Sequence, residues 1–281
     1  MENLRTEVSV QLLLIIGFIL ISNDLKSQTY TPNEGRFIFV NEAKIYFEEY
    51  GEGEPLILLH HFGSTGTDGW SSYIPAFSKD YRVIVPDLRG HGKSTDPDSQ
   101  NPWKLDKSAS DLLVLLDSLN ITKTSAIGGS GGASTLLNAA TVQPDRFEAI
   151  VIVGGSPYRN KEFREWLSKN WSEEIPAEEI ELHGNEKALV LNRQFKEFAY
   201  QYRDHELTPD RLNAITARTL IVHGDNDPLV PVRYAWETYE AIPDAHLWIV
   251  PFGGHIPYLY PPDQSDFTRR IQDFLLTPKK E

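Results

Sequence analysis

The stretch AIGGSGGAST, residues 126–135, decides the fold. It begins as the end of an apolar run, TSAIGG (124–129), and passes into a helical pattern that starts at Gly131. Glycine loses more backbone freedom on folding than any other residue, so it weakens ordinary helices and strands. Gly128, Gly129, Gly131 and Gly132 crowded around one serine therefore predict a turn too tight for Cβ atoms. Such a turn thrusts the Ser130 hydroxyl above a sheet, where the first N–H groups of the next helix favour negative charge. A Gly-x-Ser-x-Gly match alone arises by chance in roughly one chain of this size in ten, so its surroundings must decide. A Walker phosphate loop would need Gly-Lys-Ser/Thr, and no lysine follows. A dinucleotide fingerprint would sit on the first strand–helix turn, whereas this stretch comes after several strands.

Outward from it, short apolar runs alternate with helical stretches. Phe37 to Val40 and Lys44 to Glu49 read as a hairpin around Asn41-Glu42. Runs at 55–60, 82–87, 149–155, 219–225 and 246–251 are continuous and apolar, as strands buried on both faces should be. Helical spacing covers Lys104 to Leu119, Gly131 to Val142, Pro231 to Ile242 and Asp263 to Leu276. This alternation predicts an α/β protein with a mostly parallel eight-stranded sheet flanked by helices. Residues 158–215 break the pattern: they hold no strand-like run and are charged and aromatic, with Trp166, Trp171, Phe195, Phe198, Tyr200 and Tyr202. They read as a small helical cap inserted into a domain spanning 28–281.

A serine hydroxyl needs a base. His255, in PFGGHIPYLYPP, falls on a loop beyond the last strand, where α/β sheets place their sites. His246 lies inside a strand and His223 precedes Gly224 at a strand end, and both read as structural. The imidazole needs an acceptor for its second N–H. In TLIVHGDNDPLVP, Asp227 precedes Pro228 and is held extended, while Asp225 is the candidate for capping the turn. A calcium loop would need Gly at its sixth position and Glu at its twelfth, and both are missing.

The 281-residue chain has a formal net charge of −13 and no cysteine. That acidity, without a Lys/Arg run, excludes a nucleic-acid-binding face, and disulfides and thiolate metal sites are absent. Leu12 to Ile21 is an apolar run of signal-peptide length, short of the ~20 residues that span a bilayer. Residues 1–27 are expected to be a cleaved export signal, so that the protein is periplasmic or secreted, with an uncleaved membrane anchor as the alternative. No stable membrane span is expected.

LLHHFGS, VIVPDLRGHGKST, AIGGSGGAST, TLIVHGDNDPLVP and GGHIPYLYPP, in this order, resemble the serine hydrolases of the α/β-hydrolase superfamily over residues 35–276. The order Ser, Asp, His is that family's. The resemblance implies a catalytic triad of Ser130, Asp227 and His255. It also implies an oxyanion hole from the backbone N–H groups of Phe62 and Gly131, with no metal or organic cofactor. Asp87, Arg89 and His91 match a structural turn of the family. The sequence departs from the family at His61, where glycine is usual, and at Gly131, where many relatives carry a bulky residue. The second departure is expected to leave room beside Ser130. Position suggests that His61, Phe62, Trp70, Tyr158 and Ile256 line the pocket. The expected substrate is a small carboxylic ester, cleaved through an acyl-enzyme. The alternatives are a proline-iminopeptidase-like aminopeptidase and a non-catalytic ligand binder on the same fold.

Overall fold

The structure, a computed structural model, describes residues 35–158, 161–201, 207–259 and 264–277. The leader expected over residues 1–27, and Tyr202 of the expected cap, lie outside these. Strands β1 (Arg36–Val40) and β2 (Ala43–Tyr50) form the opening hairpin. Its two turn residues, Asn41 and Glu42, both take positive φ (43° and 68°). That matches the turn whose twist suits a two-residue hairpin. Strands β3 (Glu54–Leu59), β4 (Tyr81–Pro86), β5 (Thr124–Gly129), β6 (Phe147–Val153), β7 (Arg218–Gly224) and β8 (Ala245–Val250) complete one sheet.

The sheet has eight strands in the order β1-β2-β4-β3-β5-β6-β7-β8. β2 pairs antiparallel with β1 and β4, and every other pair is parallel. β3 runs to β4 on one side, whereas β5 runs to β6 on the other. The ends of β3 and β5 therefore form the crevice where connections diverge, the place open α/β sheets use for ligands.

Side chains alternate across the central strands, as a period of two requires. Ile57, Leu59, Ala126, Ile150 and Ile152 face a core with helices α3 (Leu105–Ser118) and α4 (Gly131–Val142), and the short helices α1 (Gly66–Trp70) and α2 (Ile74–Phe77) precede these in the chain. Leu56, Leu58, Ile127, Val151 and Val153 face a second core. That core is closed by Trp70 and Phe77 of α1 and α2 and by Phe267 and Ile271 of the C-terminal helix (Gln264–Leu276). Both faces are covered, which explains why these strands read as unbroken apolar runs.

Between β6 and β7 lie α5 (Lys161–Asn170), α6 (Ala177–His183), α7 (Asn185–Gln201) and α8 (Pro209–Asn213). Helix α9 (Arg233–Ala241) joins β7 to β8, and the C-terminal helix is α10. Among the described residues no helix is long and apolar enough to cross a membrane. Helices α1 and α2, of five and four residues, gave no periodic signal in the sequence because they are too short to repeat a face.

Candidate active site

Ser130 stands between β5 and α4 with φ 49° and ψ −109°. A non-glycine residue held there stores strain of about 1–3 kcal/mol, so its neighbours must impose it. They do so by close approach. A Cβ on Gly128 would meet the Gly132 carbonyl oxygen at 2.6 Å, and one on Gly132 would meet the Leu59 oxygen at 2.5 Å. The Ser130 amide donates to the Val153 carbonyl at 2.8 Å, which anchors the turn to β6.

The elbow delivers Ser130 Oγ to His255. His255 Nδ1 donates to Asp227 Oδ2 at 2.7 Å, so its Nε2 is free to accept from Ser130 Oγ, also at 2.7 Å. Three side chains from the ends of β5, β7 and β8 thus form one unbroken relay. Asp227 is buried, and burial alone would raise its pKa. The facing His255 ring and the hydrogen bonds from His223 and His255 outweigh that and hold the carboxyl well below the usual range. Its other oxygen, Oδ1, accepts the amides of Leu229 (2.8 Å) and Val230 (2.9 Å).

One sequence expectation changes here. Asp227, not the exposed Asp225, caps the turn after β7. His223 has a structural role: its Nε2 donates to the Val230 carbonyl at 2.7 Å and lies 3.2 Å from Asp227 Oδ2. A proline after Asp227 was the only local signal of its conformation. The hydrogen bonds that hold it come from the chain folding back on itself.

The backbone nitrogen of Phe62 comes close to Gly131, the residue that follows Ser130. A Cβ on Gly131 would lie 3.3 Å from the Phe62 nitrogen. Neither amide has an acceptor among the described residues. Two converging donors beside a nucleophile can hold the negative oxygen of a tetrahedral intermediate. Aromatic rings border the space that a side chain at Gly131 would take: the Trp103 ring stands 3.6 Å from that added Cβ, and Phe62 packs edge-on to Trp103.

The wall behind Phe62 is built from histidines without carboxylates. His60 Nε2 accepts the Leu88 amide (2.9 Å), and its Nδ1 donates to the His61 carbonyl (2.7 Å). His91 Nδ1 donates to the Arg89 carbonyl at 3.0 Å. His183, from α6, accepts the Gly92 amide and donates to the Gly63 carbonyl, each at 2.9 Å. Burial pushes His60 well below its ordinary value, His61 down to about 4 and His91 down to about 3. His60, His91 and His183 are neutral fasteners. Asp87 belongs with them, accepting the Gly66 and Lys93 amides (both 2.8 Å), and Arg89 pairs with Asp111 at 2.7 Å.

A cavity of about 150 Å³ opens on Ser130, His255 and Gly131. Phe62, Trp103, Phe163, Phe195 and Phe198 make its aromatic side, and Leu229, Val230 and Ile256 face them. The cap helices supply Phe163, Phe195 and Phe198. They are fastened to the sheet domain by His183, by Lys187 Nζ on the Gly92 carbonyl (2.6 Å) and by Gln194 Nε2 on the Asn101 carbonyl (2.9 Å). His61, Tyr158 and Ile256 line the cavity. Trp70 does not: helix α1 turns it into the second core, where it is fully buried and stacks on Tyr258 with centroids 4.3 Å apart.

A strained serine, a carboxylate-backed imidazole and two free amides define the site of a serine hydrolase built on a parallel sheet. Residues 54–188 match the family model described as alpha/beta hydrolase fold, and residues 199–281 match that of TAP-like protein. The chain is 30% identical over 255 residues to serine hydrolase BPHL of Homo sapiens, covering 85% of each chain. It is 24% identical over 266 residues to the 2-hydroxy-6-oxo-6-(2'-aminophenyl)hexa-2,4-dienoic acid hydrolase of Metapseudomonas resinovorans, covering 85% of this chain and 90% of that one. The solved structure of a serine hydrolase involved in carbazole degradation (CarC enzyme) superposes with a TM-score of 0.70 at 27% identity, covering 86% of this chain and 98% of that one. The chain belongs to the α/β-hydrolase family, as a hydrolase with a serine nucleophile.

Proposed function

We propose that the protein hydrolyses small, uncharged carboxylic esters through an acyl-enzyme on Ser130. The observation that carries this reading is the cavity. At about 150 Å³ it matches the volume that accommodates a benzene-sized group and falls below the ~300–1,000 Å³ of sites for larger ligands. No Lys or Arg lines it among the described residues, so nothing there pairs a substrate carboxylate. No Asp or Glu lines it either, which disfavours an aminopeptidase that must hold a free amine.

In the proposed cycle His255 takes the Ser130 proton as the hydroxyl attacks the carbonyl carbon. Phe62 and Gly131 hold the oxyanion, and His255 returns the proton to the departing alcohol. Water then attacks the acyl-enzyme by the same route. A second reading, cleavage of a carbon–carbon bond, draws on relatives whose names specify 2-hydroxy-6-oxo-dienoic acids. Such acids are long and anionic, and both properties oppose this cavity. The leader is proposed to direct export with cleavage after Ser27, and N-terminal sequencing of exported protein starting at Gln28 would support it.

Purified protein and Ser130→Ala should be compared on p-nitrophenyl acetate, butyrate and octanoate, and on 2-hydroxy-6-oxo-6-phenylhexa-2,4-dienoate. Wild type should favour the two short esters over octanoate by at least about tenfold in kcat/KM, and the alanine variant should be inert. Faster turnover of the dienoate than of any ester would replace this reading with the second. Equal inactivity of both proteins on every substrate would leave a ligand binder.

A further inference from the structure

Among the described residues lining the cavity, nearly every polar side chain is already engaged. Ser130 and His255 bond to each other and His255 to Asp227. Ser134 donates to the Ser156 carbonyl, Ser156 to the Tyr158 carbonyl, and Tyr158 to Glu237. The Trp103 indole nitrogen has no partner but is sealed from the cavity. His61 differs: it lines the cavity, and its Nε2 has no partner among the described residues.

The state of that nitrogen follows from the other one. His61 Nδ1 lies 3.3 Å from the Tyr258 hydroxyl. That phenol is fully buried, stacked on Trp70 and kept protonated by desolvation. Among the described residues its O–H has one acceptor, His61 Nδ1, so Nδ1 accepts and Nε2 carries the hydrogen. A neutral imidazole with its N–H facing a reacting centre is an electrophile rather than a base. The phenol reaches that place because residue 129 is glycine: a Cβ there would lie 2.5 Å from the phenol oxygen.

Position assigns the target. Phe62 and Gly131 already flank the oxyanion. The leaving group must lie toward His255, which protonates it. Tyr258 follows His255 by three residues on the same loop and bonds His61, and His61 lines the same cavity as Ser130 and His255. We infer that His61 is a catalytic donor whose Nε2–H bonds to the leaving-group oxygen as the ester C–O bond breaks. The electron pair of that bond passes to the oxygen, and His255 transfers its Nε2 proton there. His61 stabilises the growing charge without giving up its hydrogen, and the acyl group stays on Ser130. This inference rests on the ester reading. It also deepens it: the enzyme is built for alkyl esters, whose poor leaving groups need the help, rather than for activated aryl esters.

The test is a leaving-group series of acetates, from p-nitrophenyl through phenyl and trifluoroethyl to ethyl, read as kcat/KM. The proteins are wild type, His61→Leu, His61→Gln and Tyr258→Phe. A hydrogen bond to developing charge is worth about 10- to 100-fold, so His61→Leu should lose that much on ethyl acetate and less than about fivefold on p-nitrophenyl acetate. His61→Gln, which keeps a donor, should recover much of the selectivity, and Tyr258→Phe should fall between. A uniform loss across the series, or none, overturns the inference while leaving the ester reading intact. Absence of wild-type turnover on the entire series removes both. Equal thermal stability and fluorophosphonate labelling of the variants establish that the fold is kept.

Discussion

Histidines on the two sides of the cavity have opposite fates. On one side His255 faces a buried carboxylate, Asp227, across 2.7 Å, and can take and hold a proton. On the other, His60, His91 and His183 meet only backbone groups, and burial holds them neutral. The residue type is the same, and the partner at Nδ1 decides between base and fastener. His61 stands between the two sets: neutral like the second, open to the cavity like the first. A histidine in a pocket is therefore not a base until an acid is found behind it.

The sharpest way to break this contrast is to remove the carboxylate. Asp227→Asn should leave the fold in place and lower kcat/KM on a short ester by about 10⁴-fold, because the imidazole loses the acceptor that fixes its tautomer and stabilises its cation. A loss below tenfold would place the base elsewhere. Next in size is the turn that supports both sides. Gly132→Ala pushes a Cβ to 2.5 Å and 2.6 Å from the Leu59 and His60 oxygens, which are backbone atoms that cannot swing away. It should lower stability by roughly 1–3 kcal/mol or more in urea unfolding, with activity lost beyond proportion to stability. A smaller effect should come from the cap fastener. His183→Ala leaves the Gly92 amide and Gly63 carbonyl unpaired, so KM should rise about fivefold with kcat little changed, since a neutral hydrogen bond is worth about 1 kcal/mol.

The gentlest perturbation is pH. The folded values of His60, His61, His91 and His183 are depressed, so the unfolded chain binds their protons first below about pH 6.5. Stability from these groups is complete above that value. It declines as pH falls toward the folded values, about 4 for His61 and about 3 for His91. Glu179, pushed up to about 7 by burial, acts with the opposite sign over the same window, one proton against several. Tm measured at pH 7, 6 and 5 should therefore fall, and His91→Phe should flatten the slope. An unchanged or rising Tm would mean that these rings titrate freely.

The sheet was readable because strands buried on both faces leave unbroken apolar runs, and the elbow because only glycine tolerates its close contacts. Ser130, Asp227 and His255 were readable by their places at strand ends. What escaped was set by distant chain. Trp70 shares the polar loop that follows β3, and nothing local shows that α1 rotates it into the core. Asp227 caps its own turn through amides made available by the backbone geometry that follows. The link from His183 to Gly63 and Gly92 joins segments about ninety or more residues apart, beyond any periodicity.

The most direct measurement is stoichiometric labelling by a fluorophosphonate, followed by peptide mapping. One adduct per chain should fall on Ser130. It should be absent in Ser130→Ala and form far more slowly in Asp227→Asn. An adduct on any other residue, or undiminished ester turnover in Ser130→Ala, would contradict the assignment of Ser130 as the nucleophile.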